Sequence, residues 1–253
     1  MTWSASQYSR FEAERTRPVR DLVAAIPNAG IQTGIDLGCG PGNSTEVLQQ
    51  RYPDAQVTGL DNDEDMLAAA RKRSPGTTFQ WADIGTWSAP SPVDVILANA
   101  SLQWLPDHAT LYPRLLAQLA PGGSLAIQTP DNLQEPAHVL AREVAASAQF
   151  SSRIGTIRHP PRHDIQWYYA LLKPLSGHVD TWRTTYMHPL AGHQAVVEWF
   201  KGSALRPYLS QLDDAGKEEY LQRYLQEIGK AYPVMDDGTV LLPFPRLFIV
   251  ATR

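Results

Sequence analysis

Gly34-Ile35-Asp36-Leu37-Gly38-Cys39-Gly40-Pro41-Gly42 is the stretch on which the fold assignment rests. Its apolar approach predicts a strand ending near Leu37. Glycines at 38, 40 and 42 let the chain turn sharply and let a ligand come against bare backbone. Asn43-Ser44-Thr45 then opens a helix over 43–51. Nineteen residues past Gly42, Gly59-Leu60-Asp61 closes a second apolar run with an acid. Such an acid accepts hydrogen bonds from both hydroxyls of an adenosine ribose, so the two signals together point to a nucleoside-type cofactor.

The alternation of short apolar runs with amphipathic stretches continues outward from this turn. Strands are predicted near 32–37, 56–60, 77–81, 93–98 and 122–128, with helices over 43–51, 63–73 (Asp63 as N-cap) and 108–119, the last closed by Pro121-Gly122-Gly123. That order specifies a parallel sheet wound through four right-handed crossovers. Beyond Pro130 the rhythm changes. A helix over 135–149 precedes a basic, proline-rich stretch, 151–163, that has no period and reads as an inserted loop or cap. A strand at 179–187, helices at 193–201 and 213–231, and a last strand at 240–252 follow.

With 43% hydrophobic and 19% charged residues in 253, the composition is ordinary globular usage and excludes a disordered or fibrous chain. No apolar run nears the ~20 residues that span a bilayer, and the N-terminus lacks a signal-peptide core, so a cytoplasmic protein without a membrane partner is expected. The single cysteine, Cys39, allows no internal disulfide. His159 and His163 are four apart, but Pro160-Pro161 break the helical face a zinc pair would use, so no metal is expected. A net charge of -4 argues against a nucleic-acid partner, and a monomer is expected. The charge is uneven, since residues 151–210 hold seven Lys/Arg against three acids. That segment is therefore the expected receptor for an anion.

Two cofactors compete for the glycine turn. A dinucleotide site usually has G-x-G-x-x-G spacing and a helix N-terminus to hold pyrophosphate. The spacing is G-x-G-x-G, preceded by Asp36. S-adenosylmethionine (SAM) carries an ammonium, a carboxylate and a sulfonium but no phosphate, so an acid and exposed carbonyls beside the turn suit it better.

DLGCGPG at 36–42, Leu60-Asp61, Ala82-Asp83 and ANASLQWLPD at 98–107 together resemble the class I SAM-dependent methyltransferases over residues 30–130. The resemblance implies a Rossmann-like α/β fold: a seven-stranded, mostly parallel sheet with helices on both faces, an antiparallel strand at 240–252 and an inserted, largely helical cap. It implies SAM as cofactor and S-adenosylhomocysteine as product. Asp61 then resembles the ribose-binding acid, Asp83 and Ile84 the adenine-contacting pair, and Asn99 the residue whose backbone faces the methionine moiety. Asp36 and Gly38, Cys39 and Gly40 resemble the floor beneath that moiety. Tyr8, Asn62, Met66, Ala100 and Leu102 complete the expected cofactor set, and Arg15 would pair with the methionine carboxylate as its segment folds over.

FEAERTRP at 11–18, ASLQWLPDH at 100–108, WRTTY at 182–186, ALRP at 204–207 and FPRLFIVA at 244–251 extend the resemblance, nearly end to end, to bacterial trans-aconitate 2-methyltransferases. One domain over 1–253 is implied: an N-terminal lid segment to 28, a SAM-binding core over 30–130, a substrate cap with C-terminal helices over about 131–239, and the last strand. The implied reaction is methyl esterification of a carboxylate by direct in-line transfer. It needs positioning more than a strong base.

Arginine forks meet carboxylates in a bidentate way, which makes Arg183, Arg206 and Arg246 the candidate clamps. Tyr168, Tyr186 and Trp199 would add hydrogen bonds and exclude water, and Gln103 and Trp104 would help position the reactants. Each has a structural alternative. A given arginine is more often solvated or structurally paired than a ligand clamp, and Tyr168 and Trp199 are equally readable as core. Other small acids, a malonyl-type thioester, or a SAM-binding module without turnover remain alternatives.

Overall fold

The computed structural model describes residues 12–157 and 162–253, the side chains of 12–15 excepted. The expectations for Tyr8 and for the Arg15 side chain lie outside the described residues. Seven strands, β1 (Thr33–Leu37), β2 (Gln56–Asp61), β3 (Thr78–Trp81), β4 (Val93–Asn99), β5 (Leu119–Pro130), β6 (His178–Ala191) and β7 (Thr239–Thr252), form one sheet in the order β3-β2-β1-β4-β5-β7-β6. β1 to β5 pair in parallel. β7 runs antiparallel to β5, with Ser124 opposite Thr252 and Pro130 opposite Arg246. The expected seven-stranded, mostly parallel sheet is therefore observed.

Strand β4 explains the pattern locally. Val-Asp-Val-Ile-Leu-Ala-Asn is almost continuously apolar because it is covered on both faces, and every residue but Asp94 is buried. Asp94 lies at the end where β4 begins, and its Oδ2 accepts from the Gln32 and Thr33 backbone N–H groups at 2.8 and 2.9 Å, fixing the start of β1. The strand order reverses between β1 and β4. In open α/β sheets the carboxyl ends of the strands at such a switch point form the ligand crevice.

The helices are α1 (Glu12–Ala24), α2 (Asn43–Arg51), α3 (Glu64–Arg73), α4 (His108–Ala117), α5 (Pro136–Ala146), α6 (Ile165–Leu172), α7 (Gly192–Lys201), α8 (Arg206–Leu209) and α9 (Asp214–Ala231). Asp63 caps α3 as expected, its Oδ1 accepting from the Asp65 and Met66 N–H groups. α2 departs from expectation. Its N-cap is Gly42, left-handed at φ 87°, and the hydroxyls of Ser44 and Thr45 turn to Asp36 instead of capping. Pro121-Gly122-Gly123 does not close the helix before it, because α4 ends at Ala117 and the chain runs through these residues within β5. A register shift against β4 between Val93 and Val95 absorbs the irregularity.

The chain divides into two compact units, Met1–Pro130 with Pro160–Thr184 and Arg246–Arg253, and Asp131–His159 with Thr185–Pro245. The first has an apolar core of Leu37, Ile96, Leu115, Ile127, Leu172 and Ile249, among others. In the second, α9 is fastened to α5 by tyrosines: Tyr220 Oη donates to Ala141 O at 2.8 Å and Tyr224 Oη to Ala137 O at 2.9 Å. Arg153, counted in the basic segment, bridges Asp213 and Glu219 at 2.9 and 3.1 Å. Part of the positive charge there is thus neutralised locally. No described helix is long and apolar enough to cross a membrane.

Candidate functional site

The glycine turn leaves β1 with Gly38 and Cys39 N–H both donating to Leu60 O, at 2.8 and 2.9 Å, so the turn hangs on the end of β2. Gly38 (φ 72°) is obligatory, since a Cβ there would lie 2.4 Å from the Ser101 Cβ. Gly40 (φ 55°) differs. Its Cβ would meet nothing within 4 Å, so bare backbone faces open space where a ligand can approach. The Gly40 N–H donates to Asp61 Oδ2 at 2.8 Å, and the Asp63 N–H to Asp61 Oδ1 at 3.0 Å, which fixes this carboxylate at the mouth of the turn. Burial raises the Asp61 pKa, against the opposing backbone N–H bonds of Gly40, Asp63 and Asn62.

Asp36 lies beneath the turn, fully buried. Its Oδ2 accepts from Ser44 Oγ and Thr45 Oγ1 at 2.7 and 2.6 Å, while Oδ1 has no hydrogen-bond partner among the described residues. Burial pushes its carboxyl up to about 6, opposed by the Thr45 and Ser44 hydroxyls and reinforced by the charge of Asp61. The Cys39 thiol is also pushed up, by burial and then by Asp36 and Asp61. It therefore stays a neutral thiol, packed with Leu67, Ala70 and Phe79 and donating weakly to Gly40 O at 3.6 Å.

Across the switch point, β4 ends in a tight bend. Ala100 is left-handed at φ 53°, its N–H donates to Gln128 O at 2.8 Å, and its own carbonyl receives Gln103 Nε2 at 2.6 Å. Asn99 Oδ1, Ser101 Oγ and Gln103 Oε1 are buried there without a partner among the described residues. Asn99 pairs in register with Gln128, whose Oε1 accepts from Arg246 Nη1 at 2.9 Å. Arg246, only 4% exposed, thus stands at the same carboxyl-end layer. Two acids and a run of unsatisfied acceptors suit an ammonium and a sulfonium far better than a pyrophosphate, and the open face of Gly40 leaves room beside them.

Seventeen of the sequence-predicted residues with described side chains fall in this first unit. Asp36, Gly38, Cys39, Gly40, Asp61, Asn99, Ala100, Leu102 and Gln103 cluster at the strand ends. Asn62, whose carbonyl accepts from Trp81 Nε1 at 3.1 Å, and Asp83, whose Oδ1 accepts from the Gly85 N–H at 2.9 Å, are exposed beyond β2 and β3, with Ile84 half-buried beside them. Met66 and Leu102 bury their side chains in the core, and Trp104 stays 53% exposed. Tyr168 is a core residue, stacked on Tyr112 at 5.0 Å. Arg183 is exposed on the edge strand β6.

Tyr186, Trp199 and Arg206 belong to the second unit. There Trp199 and Tyr186 are buried beside His188, the Trp199 and His188 rings 4.8 Å apart, as part of an aromatic core. Ser44, Thr45, Ser101, His108 and Gln128 escaped sequence reasoning. A polar Gln within the apolar run Leu125-Ala126-Ile127 is the signal that could have singled out Gln128. No cluster of metal-ligating side chains occurs among the described residues.

The reversed strand order, the glycine turn and the acceptor-rich strand ends define a class I SAM-dependent methyltransferase. Residues 35–123 match the methyltransferase domain family. The fold is similar to that of the YcgJ protein of Bacillus subtilis (TM-score 0.62, 12% identity, covering 94% of this chain and 98% of that one). It is also similar to phosphoethanolamine N-methyltransferase 2 of Haemonchus contortus (TM-score 0.55, 16% identity, covering 94% and 52%).

Within that class the chain belongs to the trans-aconitate 2-methyltransferase family. It is 51% identical to the member from Methylobacterium nodulans, over 99% of this chain and 98% of that one. It is 49% identical to the member from Rhizobium meliloti strain 1021, over 100% and 99%.

Proposed function

We propose that the protein methylates a carboxylate of trans-aconitate, using SAM as the donor. The observation that carries this is the 49–51% identity running the whole length of relatives that bear this activity in their names. When bound, SAM supplies an electrophilic methyl group whose sulfonium leaves as a neutral thioether. Asp61 would accept from its ribose hydroxyls, Asp83 and Ile84 would flank its adenine, and Asp36, the Gly38–Gly40 backbone and Asn99 to Leu102 would line its methionine side.

A carboxylate is already ionised at neutral pH, so the chain's task is alignment and partial removal of water. Arg246 holds a carboxylate not undergoing transfer, with Arg183 as a second, more exposed contact. Their planar forks favour a polyanion over a monoacid. Gln103 and Trp104 orient the reacting oxygen. The protein acts as a cytoplasmic monomer on a free small acid, with no nucleic-acid partner, in keeping with its net charge of -4.

Incubation of the purified protein with SAM and trans-aconitate tests the proposal. It should yield S-adenosylhomocysteine and the monomethyl ester in equal amounts. Product from a malonyl thioester alone would reassign the substrate, and SAM binding without product from any acid would make the protein a non-catalytic binder.

A further inference from the structure

The segment joining β4 to α4 begins and ends on backbone that residues other than glycine seldom adopt. Ala100 (φ 53°) and Asp107 (φ 54°) are the only left-handed non-glycine residues among those described. Conformations of this kind persist where the surroundings over-determine them, and they concentrate where a side chain must be aimed. Two of the holds on the bend are Ala100 N–H to Gln128 O and Gln103 Nε2 to Ala100 O.

A third hold comes from beneath. His108, 2% exposed, has Nε2 3.0 Å from Leu102 O and Nδ1 2.6 Å from Tyr168 Oη. Leu102 O also receives the Leu105 N–H at 3.0 Å, so two donors converge on this carbonyl. A carbonyl only accepts, so Nε2 carries the proton. In the neutral ring Nδ1 then accepts from the Tyr168 hydroxyl, and the tyrosine selects the tautomer. Burial first, and then the charge of His163, hold the imidazole below its ordinary pKa, against the bond to Leu102.

Packing alone does not call for this pair. The N-terminus of α4 is already capped by Asp107 Oδ1 on the Thr110 N–H, and two apolar side chains would fill the same volume without burying an imidazole and a phenol.

We infer that His108 and Tyr168 are positioning residues of the methyl-transfer site, pinning the Leu102 carbonyl and so setting the strained bend that carries Ser101, Gln103 and Trp104. What the bend is for rests on the proposed methyl transfer; the pinning itself does not.

The test uses the full chain carrying His108→Leu, His108→Gln or Tyr168→Phe. Leucine fills space without a donor. Glutamine returns an N–H near the position of Nε2. Phenylalanine keeps the stack on Tyr112 and removes the hydroxyl. Steady-state kinetics, thermal unfolding and amide hydrogen exchange at Trp104 and Leu105 are measured together.

His108→Leu should lower kcat by about 10–100-fold while KM for SAM moves less than about threefold. Exchange at Trp104 and Leu105 should quicken about tenfold or more while the body of α4 keeps its protection. His108→Gln should recover most of both losses, and Tyr168→Phe should fall between. Unchanged kcat and exchange in His108→Leu, or equal impairment in the Gln and Leu variants, would overturn the inference. If the wild type itself fails to methylate trans-aconitate, the functional proposal falls, and the exchange comparison still decides whether His108 pins the bend.

Discussion

Asp36→Asn should make the protein harder to unfold and poorer at holding its methyl donor. In the wild type this buried carboxyl has one oxygen taken by two hydroxyls and the other without a partner among the described residues, and burial moves it from 3.8 to about 6. A raised pKa means that the folded state binds the proton more tightly than the unfolded chain. The group's contribution to stability is therefore full below pH 3.8 and is lost as pH rises through about 6. At 1.36 kcal/mol per pKa unit the loss is roughly 3 kcal/mol. Asparagine is neutral throughout and keeps an acceptor for Ser44 and Thr45. The variant should gain roughly 1–3 kcal/mol at pH 7.5 and little at pH 4.

Binding a cation reverses the balance, because the ammonium and sulfonium of SAM favour the ionised acid and protonation then competes with binding. For one proton with a pKa of about 6, the apparent Kd should weaken about twofold at pH 6 and about 11-fold at pH 5, relative to its value above pH 7. Titration calorimetry of both proteins between pH 5 and 8 measures this. The expected result is that slope in the wild type and a weaker Kd with a shallower slope in Asp36→Asn, where Asp61 is the remaining raised acid. A flat wild-type profile, or the same slope in the variant, would refute the role assigned to Asp36.

The two turn glycines should separate stability from binding. Gly38→Ala places a Cβ 2.4 Å from Ser101 and should cost roughly 2–4 kcal/mol by denaturant unfolding. Gly40→Ala meets nothing and should cost only roughly 1–2 kcal/mol, yet weaken SAM about tenfold or more by calorimetry. Arg246→Lys should raise KM for trans-aconitate by about 10–100-fold with SAM affinity unchanged, because a lysine cannot reproduce the planar fork. Tyr220→Phe, which removes the bond to Ala141 O, should lose roughly 1–2 kcal/mol in thermal unfolding and leave kcat unchanged.

The sheet was legible because β4 is a near-continuous apolar run, because β1 and β2 are short strands set a helical length apart, and because the glycine turn fixes where the first of them ends. Three helices were not. α1 contains Pro18 and confines its large apolar residues, Val19, Leu22 and Val23, to its second half, α6 is Ile-Gln-Trp-Tyr-Tyr-Ala-Leu-Leu, too uniformly apolar to show a period, and α8 is a single four-residue turn. The extent of β5 was hidden by Pro121-Gly122-Gly123, which reads as a stop but is crossed by a register shift. Within the site, Asp36 and Asp61 announce themselves by type and spacing. The partners of Asp36, the link from Gln128 to Arg246 and the pairing of His108 with Tyr168 depend on contacts 8, 118 and 60 residues apart in the chain. Helical turns and strand registers create those contacts, and local pattern does not encode them. The same limit explains Trp199 and Tyr186, whose aromatic character suits a pocket wall and a core equally until the packing is known.

S-adenosylhomocysteine release, followed with purified protein, SAM and a panel of di- and tricarboxylates including both aconitate isomers, tests the central claim most directly. Turnover of trans-aconitate, on the order of tenfold or more above cis-aconitate and citrate, is the predicted result. Selective turnover of a different acid, or none across the panel while SAM still binds by calorimetry, would contradict it.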